Sequence, residues 1–308
     1  MRCCWLLVAL IACSYSPPDP DNRPSDGSPT SDGPIDPDGP APGVDTDLDG
    51  FLDPDDNCPA ISNANQADED GDVVGNLCDN CPHIANADQA NSGELGAGQL
   101  ADTVGDACDP QPAVAGNSVA LFMPFDDPTE IYTWTGGGTN AAFSISGGKL
   151  RQTGATDLAI LFKNGLGLAE AFITTNVTYD TIDASRQFRG VAVMTRFVRV
   201  NASFGFGVGC GEMRDSAFSG GAAFFNLMRF DNGGFQNTSA GAGATVAVGH
   251  TARYSVHHVT GTSHECSVVA STSLGYTGAL GLAEGSGTGI NLAVWGATVS
   301  FDYLIAIL

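Results

Sequence analysis

The sequence predicts an all-β protein in which a C-terminal β-sandwich follows an irregular, acidic, disulfide-linked repeat segment. Three observations lead there. The 308-residue chain carries a formal charge of −23, and the excess is concentrated: residues 45–110 hold sixteen Asp and Glu with no Lys or Arg, against thirteen acids and ten bases in residues 111–308. Short sequence words recur inside the acidic segment at a fixed spacing. Beyond Ser118 the chain turns into short alternating apolar stretches separated by Gly- and Asn-rich turns, the pattern of half-buried strands. An anionic chain of this kind excludes nucleic acid as a partner, since phosphates must be neutralised by Lys and Arg.

The N-terminus reads as an address. "MRCCWLLVALIAC" has a basic residue, Arg2, an apolar run from Trp5 to Ile11 and a small residue, Ala12, before Cys13. This is the layout of a secretory signal over residues 1–12, too short to span a bilayer, which takes about 20 apolar residues. Leu10-Ile11-Ala12-Cys13 resembles the lipobox of bacterial lipoproteins. The resemblance implies cleavage before Cys13, lipidation of Cys13 and a membrane partner reached through that lipid. Ser14, in place of an Asp retention signal, points to an outer-membrane or cell-surface lipoprotein. Up to Val44 follow nine prolines, four glycines and six aspartates with little to bury. Residues 13–44 therefore read as a lipidated cysteine and an extended spacer.

Residues 45–110 are built on a repeat. "DNCP" stands at Asp56–Pro59 and again at Asp79–Pro82, and "N-x-x-Q" at Asn63–Gln66 and Asn86–Gln89, both with a shift of 23. In the first unit Asp45, Asp47, Asp49, Asp53 and Asp56 occupy loop positions 1, 3, 5, 9 and 12, with Gly50 at 6 and the carbonyl of Phe51 at 7. That spacing folds alternate oxygens around one hard cation, and oxygen-only donors in a pliant loop favour Ca²⁺. The second unit repeats it with Asp68, Asp70, Asp72, Val74, Asn76 and Asp79, but has Val73 where glycine is wanted, which predicts a strained, weaker loop. A third, degenerate unit keeps Asp102, Asp106 and Asp109 after an insertion, "NSGELGAGQLA". EF-hands are excluded, because a Pro-rich spacer and Cys58-Pro59 flank the first loop where helices would be required.

The run "DNCPAISNANQADEDGDVVGNLCDNCP" and the closing "VGDACDP" instead resemble thrombospondin type 3 repeats. The resemblance implies winding around calcium ions with almost no regular secondary structure, departing from the pattern at Val73 and Asn76. Without the signal cysteines and Cys13, six remain: Cys58, Cys78, Cys81, Cys108, Cys210 and Cys266. An even number in an exported chain reads as disulfides, whose pairing the count leaves open. The repeat family implies Cys58 with Cys78 and Cys81 with Cys108. Closing a loop of about 20 residues contributes roughly 3 kcal/mol in the chain-entropy account. The expectation for this segment is a calcium-stiffened stalk.

Residues 111–308 read as a jelly-roll sandwich of about twelve strands, with "AAFSISGGKL", "AFITTNVTYDTI", "RGVAVMTRFV", "AAFFNLMRF", "ARYSVHHV", "ECSVVAS" and "VSFDYLIAIL" among them. An early strand at Met123–Asp127 and a terminal one resemble concanavalin-like and laminin-G-like folds, in which first and last strands meet. Cys210 and Cys266 are expected to bridge two strands. Little chemistry is legible. Glu130, Glu170, Glu212, Glu265 and Glu284 form no E-x-D-x-E strand motif, and there is no G-x-S-x-G elbow. His257 and His258 would face opposite sides of a strand. Trp134, Trp295 and Tyr276 read as core or as a sugar-stacking platform. The functional expectation is a non-enzymatic calcium-binding surface lipoprotein whose sandwich serves adhesion or binds an extracellular glycan or surface protein. The alternative is a polysaccharide hydrolase.

Overall fold

The computed structural model describes the backbone of residues 43–308 outside 138–142, 155–157, 168–170, 202–203, 217–222, 232–233, 242–244, 259–262, 271–272 and 280–287. Within these, it describes side chains except those of 136–137, 197–201, 204–206, 224–231, 234–241, 258, 263 and 273–279. The signal, Cys13 and the spacer through residue 42, together with Glu170 and Glu284, lie outside the described residues. No helix among the described residues is long and apolar enough to cross a membrane.

The described residues contain fifteen strands. In chain order they are β1 (Val119–Met123), β2 (Thr135–Gly137), β3 (Phe143–Ile145), β4 (Leu150–Gln152), β5 (Ala159–Lys163), β6 (Phe172–Ile182), β7 (Phe188–Asn201) and β8 (Phe204–Asp215). Then follow β9 (Ala223–Asp231), β10 (Gly234–Gly241), β11 (Thr251–His258), β12 (Ser263–Val269), β13 (Ser273–Ala279), β14 (Gly289–Trp295) and β15 (Ala297–Ile307). They form two antiparallel sheets. The first has the order β13-β12-β11-β6-β15-β4-β3, with β1 also paired to β15; the second has the order β10-β9-β8-β7-β14-β5-β2. First and last strands do meet, Val119 opposite Ile307 and Met123 opposite Leu304. The early strand ends at Met123 rather than starting there.

Alternation explains the layering. On β6, Ile173, Thr175, Val177 and Tyr179 are buried while Phe172, Thr174, Asn176 and Thr178 are less so. Ile173, Val177 and Tyr179 of the inward set share the main core with Val191 and Val193 of β7 and Ile290 and Leu292 of β14. "AAFSISGGKL" holds two strands, because Gly147 and Gly148 at φ 60° and 65° make a two-residue turn closed by Ser146 N–H donating to Lys149 O. The Cys210–Cys266 disulfide joins β8 of one sheet to β12 of the other.

The stalk expectation is corrected by the packing. Val44–Leu308 is one structural unit, and the acidic repeats lie against the outer face of the first sheet. Val104, fully buried, packs with Tyr303, Ile305 and Ile307 of β15, and the His83 ring meets Tyr303 edge-on at 5.3 Å. Asn117 Nδ2 donates to Leu308 O, and Ser118 and Leu308 exchange backbone hydrogen bonds. The cause is in β15 itself. It is apolar on both faces over its last residues, so one face fills the sandwich and the other must be covered.

Candidate metal sites in the repeat segment

The first two units fold alike, bond for bond. Asp45 Oδ1 accepts the N–H of Leu48 and its Oδ2 that of Gly50; 23 residues on, Asp68 accepts from Gly71 and Val73. Asp49 Oδ1 accepts from Phe51 N–H and Oδ2 from Asn63 N–H, as Asp72 does from Val74 and Asn86. Asp56 Oδ1 takes Cys58 N–H and Gln66 Nε2, and Asp79 Oδ1 takes Cys81 N–H and Gln89 Nε2. The Asn of "DNCP" and the Gln of "N-x-x-Q" also clasp: Asn57 N–H donates to Gln66 Oε1 at 3.0 Å, Asn80 N–H to Gln89 Oε1 at 2.9 Å. These side chains replace the ladders of regular structure. The disulfides are Cys58–Cys78 and Cys81–Cys108. Gly75 lies beside the first and Gly105 beside the second; an added Cβ would meet Asn57 Oδ1 at 2.4 Å or Asn80 Oδ1 at 2.2 Å.

The structure brings together Asp45, Asp47 and Asp49 as one group and Asp68, Asp70 and Asp72 as another, with one ligand atom from each lying within 4.8 Å of the others. Position 9 does something else. Asp53 accepts from Thr46 N–H and Oγ1, both at 2.8 Å, and Asn76 Oδ1 accepts from Glu69 N–H, so both staple the loop shut.

A cation fits these groups by a direct observation. Asp47 Oδ2, Asp70 Oδ2 and Asp79 Oδ2 are buried with no hydrogen-bond partner. A buried carboxylate oxygen without a donor is costly, and a hard cation is the counterpart this donor set suits. The electrostatics agree. Burial, and after it the charges of Asp72 and Asp79, push the Asp70 carboxyl up to about 6. Burial also raises Asp79.

The third unit differs. Asp102 corresponds to Asp49 and Asp72, accepting Val104 N–H on Oδ1 and the N–H groups of Gly116 and Asn117 on Oδ2. Asp106 points elsewhere: its oxygens accept the N–H groups of Ser92 and Gly93, which hold its pKa down. The carboxylate that joins Asp102 and Asp109 is Glu94, from a four-residue helix α1 (Gly93–Gly96). Sequence reasoning passed over Glu94, although it is one acid in an insertion otherwise made of small and neutral residues.

In the sandwich the polar candidates are mostly structural. Glu212 is buried between the sheets and accepts from Tyr254 Oη at 2.6 Å, Thr245 N–H at 3.0 Å and His250 Nε2 at 3.2 Å. His264 is buried, and burial with the nearby Arg196 lowers its pKa to about 4. Trp134 lies in the main core and Trp295 in a second apolar cluster with Phe162 and Met194, while the Tyr276 side chain lies outside the described residues. His257 stacks on Phe172 with ring centroids 3.3 Å apart. Both border a cleft of about 440 Å³ at the seam between repeats and sandwich, lined also by His83, Asp109, Arg253 and Glu265.

Both loops take left-handed backbone at positions 4 and 6, and they share one glycine differently: Leu48 (φ 65°) then Gly50 (φ 104°), but Gly71 (φ 77°) then Val73 (φ 74°). A β-branched residue there costs about 1–2 kcal/mol. Val73 is largely exposed, so Val73→Gly removes strain without losing packing. It should raise calcium-saturated stability by up to about 1 kcal/mol, while Gly50→Val should lower it by about 1–2 kcal/mol, read from unfolding midpoints. Shifts of equal sign would refute this account of the loops.

Comparison with known proteins divides along the same line. Residues 36–66 and 66–89 match the thrombospondin type 3 repeat family, which leaves the Asp102–Asp109 loop outside the match. No curated protein matches the chain. Among solved structures, the chain is similar to a lectin from Bauhinia forficata in complex with GalNAc: 10% identity, 63% of this chain and 99% of that one, TM-score 0.45. It is similar to basic winged bean lectin with Tn-antigen at 9% identity, over 63% and 99%, TM-score 0.44. A third, xylan β-1,4-xylosidase from Bacillus halodurans C-125, shows 12% identity over 60% of this chain and 38% of its own length, TM-score 0.40. The segment at residues 36–89 thus consists of thrombospondin type 3 repeats, joined to a two-sheet sandwich.

Proposed function

We propose that this is an exported calcium-binding protein in which cations complete the repeat segment and fix it on the sandwich, and that the seam between them receives an extracellular ligand. The observation that carries the reading is the recurrence of buried, partnerless carboxylate oxygens at matching positions of successive loops, Asp47 with Asp70. The ligand reading is supported by the seam cleft, where Arg253, Glu265 and the Phe172–His257 stack offer charge, hydrogen bonds and a flat apolar face side by side. Hydroxyl-rich, ring-faced molecules, glycans above all, suit such a lining. The lipobox-like Leu10-Ile11-Ala12-Cys13 supports display as an outer-membrane or cell-surface lipoprotein acting in adhesion.

Calorimetric titration of the chelator-treated full chain with Ca²⁺ should show multi-site binding and a large rise in the thermal midpoint. Absence of both heat and shift would sink the calcium reading. Glycan-array binding in calcium should be lost in Arg253→Gln while calcium uptake stays unchanged; retention of binding would move the ligand away from the seam. In a bacterial host, Cys13→Ser should transfer the chain from the membrane to the soluble fraction, and an unaltered membrane fraction would exclude the lipid anchor.

A further inference from the structure

We propose that Glu94, Asp102 and Asp109 form a further cation site, of the calcium type, at the seam where the repeat segment joins the sandwich. It rests on the calcium reading of the first two loops and adds to it a site that their motif does not encode. Glu94 is completely buried, and neither of its carboxylate oxygens has a hydrogen-bond partner; Asp109 Oδ2 is likewise buried and partnerless. One ligand atom from each of the three acids lies within 4.8 Å of the others. The segment that gathers these three carboxylates contains no Lys or Arg of its own. A divalent ion with oxygen ligands is the counterpart such a cluster takes.

The local chain is arranged to put Glu94 there. In the first two loops the positions two and four residues before Asp49 and Asp72 are aspartates; before Asp102 they are Leu100 and Gly98. The inserted residues instead form helix α1, held by Asp106 through the N–H groups of Ser92 and Gly93 and closed by Gln99 N–H donating to Glu94 O at 2.8 Å. Gly93 must be glycine, since a Cβ would fall 1.9 Å from Pro112 O. The longer Glu side chain then covers the distance that two short aspartates span elsewhere. Asp106, a ligand candidate by sequence, is the positioning residue and Glu94 the ligand.

The site also ties the two parts of the molecule. Asp102 accepts from Val104 N–H, and the Val104 side chain is the one buried against Tyr303, Ile305 and Ile307. The other Asp102 oxygen holds Gly116 and Asn117, and Asn117 reaches Leu308 O on the end of β15. A cation here fixes the entry to β1 and the last strand together.

Native mass spectrometry of the full chain in Ca²⁺ tests this by counting ions. Glu94→Gln should bind one ion fewer than wild type, and Glu94→Gln with Asp109→Asn should lose that same single ion and no second one. In chelator Glu94→Gln should unfold no earlier than wild type, because a buried unpaired charge is gone; in calcium the order should reverse. Hydrogen exchange at residues 116–123 and 304–308 should slow with calcium in wild type and not in Glu94→Gln. An unchanged ion count in a folded Glu94→Gln, as would follow if Glu94 and Asp109 share a proton, overturns the proposal and leaves the first two loops standing. A wild type that binds no ion overturns both.

Discussion

The constraint on which the N-terminal part of this fold depends is the burial of carboxylate oxygens in a segment that has no base of its own. In residues 45–110 the acids outnumber the bases sixteen to none, and several of their oxygens are buried without a donor. Every other feature of the segment works around that. Backbone N–H groups are drawn onto both oxygens of Asp45, Asp49, Asp68, Asp72 and Asp102, but onto only one of Asp47, Asp70, Asp79 and Asp109, whose second oxygen is buried without a partner. The Asn57–Gln66 and Asn80–Gln89 clasps set the spacing of successive loops, and the two disulfides lock it. With no apolar core of its own, such a segment takes its order from the crosslinks and from the sheet it packs on.

The same constraint explains why the segment is docked rather than free. A chain of short loops buries little apolar surface, whereas β15 presents Tyr303, Ile305 and Ile307 on the face away from the sandwich core. Val104 and His83 supply the cover. The repeat thus borrows a hydrophobic partner from the sandwich, and the sandwich has its first-to-last strand junction clamped by the repeat through Asn117 and Leu308. The seam created by this docking holds the charged cleft that neither part forms alone.

In the sandwich, polar residues that look chemical in a sequence have been put to structural use. Glu212 is fully engaged by Tyr254, His250 and Thr245 in the space between sheets, and Trp134 is packed in the main core. The Cys210–Cys266 bond links the sheets across 56 residues of chain, a closure whose entropy falls on the unfolded state.

The sequence by itself determined the all-β class, the 23-residue frame, the loop aspartates, the six disulfide cysteines and most of the strands, because these are set by local spacing and alternation. The resemblance carried by "DNCP" and "GDACD" added the two pairings in the repeat. The glycine-broken β2, β8, β10 and β13 and the continuously apolar β5 and β14 escaped notice, since runs interrupted by Gly or buried on both faces show no alternation. Only the tertiary structure decided that Asp53 and Asp106 staple loops while Glu94 turns inward, that Leu48 shares with Gly50 the left-handed backbone, and that the repeats lie on β15. Those outcomes depend on which groups meet in the folded chain, from Asp53 with Thr46 at a separation of 7 to Asn117 with Leu308 at 191, and the spacing of residue types does not record such meetings.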